Sequence, residues 1–350
     1  MNTGSREKLY LNHLEKKRMR MISLLESIGC GPLCQNITPS PLTKGFRNRA
    51  KFRVFENQGI IQIEGTDPHK GTVPFERALW ILPEWGRPVA RDVAAYREKH
   101  KQDFPFDGFE VQLAHGQQRA HILLSVKKMF PKLYQDCAEG LWAAIPELIG
   151  VAIPSQRIEL GDVCLDHRLL GKSYLAHYHS FFQSNLSLTP RLLHRLVSEA
   201  EEMDFEKIID LYCGVGLLSL SMANEGTPIE GVESRKVSVE CAQKNALRLG
   251  YTVASFQREK VESFVRSTAF DSDDLVIINP PRSGCAAPVI RSISRHKPKN
   301  VLLVSCCLET HVKDLVLWQE AGYTAASVSA FDMFPFTPFI ETVTRLIRLR

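Results

Sequence analysis

From about residue 190 onward the chain repeats one cadence, a compact β-rich run followed by a helical segment, and no other feature narrows its fold as far. Runs at 207–212, 228–232, 252–256, 275–278 and 301–305 alternate with helical segments at 217–224, 236–249, 286–295 and 310–320. Strand and helix in alternation build parallel strands joined by crossover helices, so a doubly wound α/β sheet is expected. Two last β-rich runs, 325–331 and 342–349, are joined by only ten residues and no helix, which predicts an antiparallel pair at the sheet edge.

The first half reads differently. Residues 9–28 carry helix-like apolar spacing with basic interruptions and stop at Gly29-Cys30-Gly31-Pro32. Short β-rich runs follow at 51–55, 59–64, 110–114, 121–126 and 157–160, separated by Pro and Gly loops. The expected organisation is a basic amphipathic helix over 1–30, a mixed-sheet α+β domain over 31–178 and a Rossmann-like α/β domain over 179–350. Hydrophobic residues at 44% and charged residues at 24% of 350 exclude a disordered or low-complexity chain. No stretch approaches the ~20 apolar residues of a membrane span, and residues 1–21 are polar rather than signal-like. A cytoplasmic monomer is the expectation. Nine cysteines, an odd number with no C-x-x-C pair, read as reduced thiols rather than a disulfide framework.

Net charge is +5, and its distribution says more than its size. Residues 1–55 hold eleven Lys or Arg against three acids, a local +8. Within them Gly45-Phe46-Arg47-Asn48-Arg49-Ala50-Lys51-Phe52-Arg53-Val54 alternates, with Phe46, Ala50, Phe52 and Val54 in one parity and Arg47, Arg49, Lys51 and Arg53 in the other. Alternate residues of a strand project to one face, so a strand with one buried face and a row of four cations with no acid among them is expected. Such a row suits a phosphodiester backbone, RNA or DNA; an ordinary solvated face is the plainer reading.

At the other end, Ile208–Tyr212 runs into Cys213-Gly214-Val215-Gly216 at a helix start, where glycines let a ligand approach the backbone. Ser219 replaces the third glycine of the dinucleotide fingerprint, which weakens an NAD reading. Glu233 ends the next strand, where a carboxylate can accept both ribose hydroxyls, although a surface acid at a loop start fits as well. Leu275–Ile278 leads into Asn279-Pro280-Pro281-Arg282, a rigid turn at the sheet rim. An aromatic after the two prolines would suggest an amino-group methyltransferase; Arg282 stands there instead. Val301–Ser305 delivers Cys306 to the same rim, and Glu341 closes the stretch from Phe331. Each has a bland reading, as a core thiol and as an acid before an edge strand.

Together N-P-P-R-S-G, V-S-C about twenty residues later, and F-D-M-F-P-x-T-x-x-x-E resemble the RNA uridine-5 methyltransferase family, the makers of 5-methyluridine in ribosomal and transfer RNA. S-F-F-Q-S-N at 180–185, D-L-Y-C-G-V-G at 210–216 and G-F-R-N-R-A-K-F at 45–52 extend the resemblance over nearly the whole chain, with the ribosomal branch closest. It implies a class I S-adenosylmethionine-dependent methyltransferase domain behind an RNA-binding domain. It implies Cys306 as the nucleophile that adds to uracil C6 and Glu341 as the base that removes the C5 proton. Gln183, Tyr212, Gly214, Gly216, Glu233 and Asn279 match cofactor positions, while Arg47, Arg49, Lys51, Arg53 and Arg282 are the candidates for RNA contact. A free thiol near ~8.5 is mostly protonated at neutral pH, so the site is expected to lower that value, with Arg282 the candidate cation. Cys307 stands where asparagine is usual. Only Cys30 and Cys34 occupy the region where many relatives bind an iron–sulfur cluster, so no cluster and no metal are expected, nor the β-barrel module that some relatives carry. The rivals are an adenine or guanine amino methyltransferase and an RNA-binding or folding factor without turnover.

Overall fold

A computed structural model describes residues 3–57, 60–67, 71–100, 106–127 and 130–349; Gly59, at the start of one expected strand, lies outside them. The chain forms two compact units, one of Met1–Pro41, Ser180–Phe182 and Ser187–Arg350, the other of Leu42–His179 and Gln183–Leu186.

The first unit is built on an eight-stranded sheet. Counting from the Lys207–Leu211 strand, followed by Ile229–Glu233, Ala254–Arg258, Asp274–Ile278 and Asn300–Ser305, the spatial order is 3-2-1-4-5 with every pair parallel. Asp-Leu-Val-Ile-Ile at 274–278 is buried at every position, as expected of a parallel strand covered on both faces. The covering helices show their reason locally. In Ala287–His296, Pro288 opens the helix, Val289, Ile290 and Ile293 face inward, and Lys297 closes it in a left-handed conformation.

Tyr323–Phe331 and Glu341–Arg348 pair antiparallel, as their short connection predicted. They are not both at the edge. Glu341–Arg348 inserts between Asn300–Ser305 and Tyr323–Phe331, and the two-residue strand Ile37–Thr38 flanks the latter. Insertion fits the sequence, because Glu341, Thr342, Val343 and Thr344 are all buried, which an edge strand open to solvent would not require. The Thr3–Glu26 helix belongs to this unit, with Met21 and Leu25 in one apolar cluster with Ile209, Val301 and Trp318. Cys30 and Cys34 are buried in that cluster.

The second unit is a seven-stranded sheet, in which only Ala120–Ser125 and Leu148–Ile153 pair parallel, plus a Cys164–Leu169/Lys172–His177 hairpin. Ala50, Phe52 and Val54 face its core, where Phe52 stacks on Phe109 at 4.7 Å. The strand begins at Arg49, so Gly45–Asn48 precede it. The expected row of cations with no acid is corrected here. Lys51 lies opposite Glu110 on the neighbouring strand, whose carboxylate takes Arg49 Nε at 2.8 Å and Lys51 Nζ at 3.1 Å. Alternation along one strand cannot reveal a carboxylate supplied across the ladder.

Candidate active site

The order of the parallel strands reverses between Lys207–Leu211 and Asp274–Ile278, and ligands of such sheets bind beyond the carboxyl ends at that point. The segments leaving those ends are Tyr212–Gly216 and Asn279–Arg282. Asn279 N–H donates to Leu211 O at 3.3 Å, holding the two exits side by side. Tyr212 adopts a φ of 62°, which a side chain tolerates only at a cost of roughly 1–3 kcal/mol, and its hydroxyl donates to Glu262 Oε1 at 3.3 Å. Gly216, at φ 78°, holds a left-handed conformation that disfavours any side chain, and a Cβ there would press on Leu220 Cδ1 at 2.9 Å. At Gly214 a Cβ would meet nothing within 4 Å, so this backbone faces open space. Glu233 ends its own strand at the same rim, with Oε1 accepting from Arg235 N–H at 2.8 Å and Ser234 Oγ at 3.0 Å. Open backbone beside a rim carboxylate fits an adenosyl ligand with a ribose.

Asp210 was not singled out from the sequence. Fully buried, it accepts from Ser219 Oγ at 2.7 Å, and burial pushes its carboxyl up to about 7. The serine that breaks the dinucleotide fingerprint thus fastens the Leu217–Met222 helix to the strand before the glycine turn.

The thiol and the carboxylate meet through strand register. Ser305 stands opposite Thr342, whose Oγ1 donates to Ser305 O at 3.2 Å. In an antiparallel pair the residue after one faces the residue before the other, so Cys306 is brought beside Glu341. Glu341 is 2% exposed, and burial pushes its carboxyl up to about 7 while Arg282 pulls it down. Burial also raises the Cys306 thiol, to about 11, with Glu341 adding to the rise and the Arg282 guanidinium opposing it. The expected lowering of this value is corrected: Arg282 acts in the expected direction, and desolvation outweighs it. The Arg282 guanidinium lies 4.2 Å from the centre of the Phe339 ring. Thr310 Oγ1 donates to Arg282 O at 3.2 Å and Cys307 O at 3.1 Å, tying the proline turn to the segment after Cys306.

Of the expected site residues, Cys306, Glu341 and Arg282 are brought together, and Tyr212, Gly214, Gly216, Glu233 and Asn279 line strand exits of the same sheet. Gln183 is buried in the other unit, which also holds Arg47, Arg49, Lys51 and Arg53. In that unit Arg47 bridges Asn185, while Lys51 and Arg53 are exposed. Among the described residues no group of three His, Cys, Asp or Glu is placed to hold a metal, and no helix is long and apolar enough to cross a membrane.

Sheet order and rim define a Rossmann-like methyltransferase of the S-adenosylmethionine-dependent class. The sequence profile described as tRNA (Uracil-5-)-methyltransferase matches residues 147–349. A protein of Lactobacillus johnsonii named an uncharacterized RNA methyltransferase is 30% identical over 97% of this chain and 80% of its own length. The chain belongs to the tRNA (uracil-5-)-methyltransferase family, and is an S-adenosylmethionine-dependent RNA uracil-C5 methyltransferase. The 23S rRNA (uracil(747)-C(5))-methyltransferase RlmC of Shewanella amazonensis is 26% identical over 96% of this chain and 92% of that one. The structure of the Pyrococcus abyssi tRNA (uracil-54, C5)-methyltransferase with S-adenosyl-L-homocysteine shares the fold, with a TM-score of 0.74, 22% identity, and coverage of 97% of this chain and 83% of that one. Other relatives are matched over only about half of their own length.

Proposed function

We propose that the chain methylates C5 of a uridine in 23S ribosomal RNA through a transient bond from Cys306 to C6 of the base. The observation that carries this is the register setting Cys306 beside Glu341, with one guanidinium acting on both. Ribosomal RNA is preferred to transfer RNA because the match to the 23S enzyme of Shewanella runs almost end to end in both chains.

Bound S-adenosylmethionine supplies an electrophilic methyl group; Tyr212, Gly214, Gly216, Glu233 and Asn279 would hold it. Uracil C5 is a weak nucleophile. Addition of the Cys306 thiolate to C6 moves the C5–C6 electron pair into an enolate with carbanion character at C5, which takes the methyl group. Arg282 favours the thiolate against the burial that opposes it. C5 then carries both a methyl and a proton. Glu341, held near neutrality by burial, removes that proton; the pair left behind restores C5=C6 and expels the thiolate. Lys51, Arg53 and Arg47 are proposed to meet the RNA backbone, Lys51 and Arg49 being tempered by Glu110.

Trapping with RNA that carries 5-fluorouridine tests the scheme, since fluorine cannot leave as a cation and the adduct persists. The protein should migrate as an RNA conjugate joined at Cys306. Trapping at another residue, or 5-methyluridine lost from transfer RNA and retained in 23S RNA when a deletion strain is compared with its parent, would overturn the corresponding half.

A further inference from the structure

The Thr3–Glu26 helix turns a stripe of Tyr10, Lys17, Met21 and Leu25 inward, with Leu14 packed against the same core. A lysine belongs in such a stripe only if its ammonium finds partners, because an unpaired buried charge is costly. Lys17 is 3% exposed and finds three. Its Nζ donates to Asp332 Oδ1 at 2.5 Å, Phe339 O at 2.7 Å and Phe334 O at 3.0 Å, which uses every N–H it has. Further along the same helix, Arg20 donates to Pro338 O at 2.9 Å and pairs with Glu309. Four of these five partners lie on the 332–340 connection. That connection carries Phe339 beneath Arg282 and ends at Glu341.

We propose that Lys17 and Arg20 are positioning residues, clamping the 332–340 connection so that Phe339 holds Arg282 against Cys306 and Glu341 enters its strand opposite the thiol. The proposal rests on Cys306 and Glu341 as the reacting pair, and it adds that the amino-terminal helix sets their electrostatics. Within the unit, the titratable groups facing Cys306 are Glu341, Arg282 and Cys307, and Glu309 accepts from Cys307 Sγ at 3.5 Å.

The test is alkylation of Cys306 by iodoacetamide against pH, followed by peptide mass spectrometry on the whole protein. Two variants are compared: Lys17→Met combined with Asp332→Asn, which removes both members of the buried pair, and Arg20→Gln, whose guanidinium is 36% exposed and whose loss strands no buried charge. The pair variant should move the Cys306 profile about one pH unit towards alkali, a roughly tenfold slower alkylation at fixed pH, and Arg20→Gln about half as far. Methylation kcat per folded molecule should fall with KM for RNA unchanged, and the shifted alkylation profile of folded protein is what a brace that merely stabilises the fold would not produce. Unshifted profiles in the folded variants overturn the proposal. Should the pair variant fail to fold, Arg20→Gln decides alone, in either direction. Alkylation needs no turnover, so shifted profiles in a protein that makes no 5-methyluridine would keep the clamp and discard the methylation scheme.

Discussion

Two regions set arginine or lysine against carboxylate, and the outcomes differ. On the Arg49–Asn57 strand, Arg49 and Lys51 share Glu110 with side chains 37% and 65% exposed, where water screens the attraction and such pairs contribute about 0–1 kcal/mol. At the sheet rim, Arg282 faces a thiol and a carboxyl that burial has raised to about 11 and about 7. The same kind of cation is screened by water in one place and coupled to a buried thiol and carboxyl in the other, and desolvation makes the difference.

Removing the sulfur is the harshest test of the buried side. Cys306→Ala should leave no covalent RNA conjugate and no measurable methyl transfer from labelled S-adenosylmethionine; retained trapping would remove Cys306 from the reaction. Glu341→Gln should still form the conjugate while turnover falls by about 10²–10⁴, the usual contribution of a general base. Normal release of product by that variant would reassign the proton transfer.

Glu341→Gln should also reveal what the raised carboxyl does to stability. The unfolded chain releases this proton near 4.5 and the folded one near 7, so the folded state binds more protons between those values. The resulting stability is present at low pH and is lost as pH rises from about 4.5 through about 7. The glutamine variant should escape that loss, gaining on the order of 2–3 kcal/mol over the parent at pH 8 and little at pH 4, read from thermal melts. A gain of equal size at both pH values would show that the carboxyl is not the cause.

Arg282→Gln should slow alkylation of Cys306 by about tenfold at fixed pH, because one opposing cation is removed and burial remains. The exposed region should respond least. Lys51→Ala should weaken RNA binding a few-fold and flatten its salt dependence by about one phosphate contact, whereas Glu110→Gln should strengthen binding at low salt. Opposite or absent shifts in the salt slope would take this strand out of the RNA interface.

Sequence carried the catalytic sheet further than its surroundings, for a local reason. Val301–Ser305 and Leu275–Ile278 are apolar runs that end in reactive or rigid residues, so each announces both a strand and a rim. Leu148–Ile153 is apolar too, but it lacks alternation and a flanking motif, and it was not among the expected strands. What escaped notice depends on distant partners. Lys17 reads as one more base in a basic helix until Asp332, separated from it by 315 positions, is seen to hold it. Glu110 is invisible from the alternation at 45–54. The expected direction of the Cys306 shift fails because a sequence shows the cation and not the burial.

The interleaving of the two units imposes an order on synthesis. Residues of the second unit follow one another almost without interruption and are all present once Leu186 has been added. The first unit cannot complete its sheet until Glu341–Arg348 enters between Asn300–Ser305 and Tyr323–Phe331, and Lys17 finds its anchorage only on the 332–340 connection that leads into that strand. A chain made as far as Leu186 therefore holds every residue of the second unit, while the rim that gathers Arg282, Cys306 and Glu341 waits for the strand at 341–348.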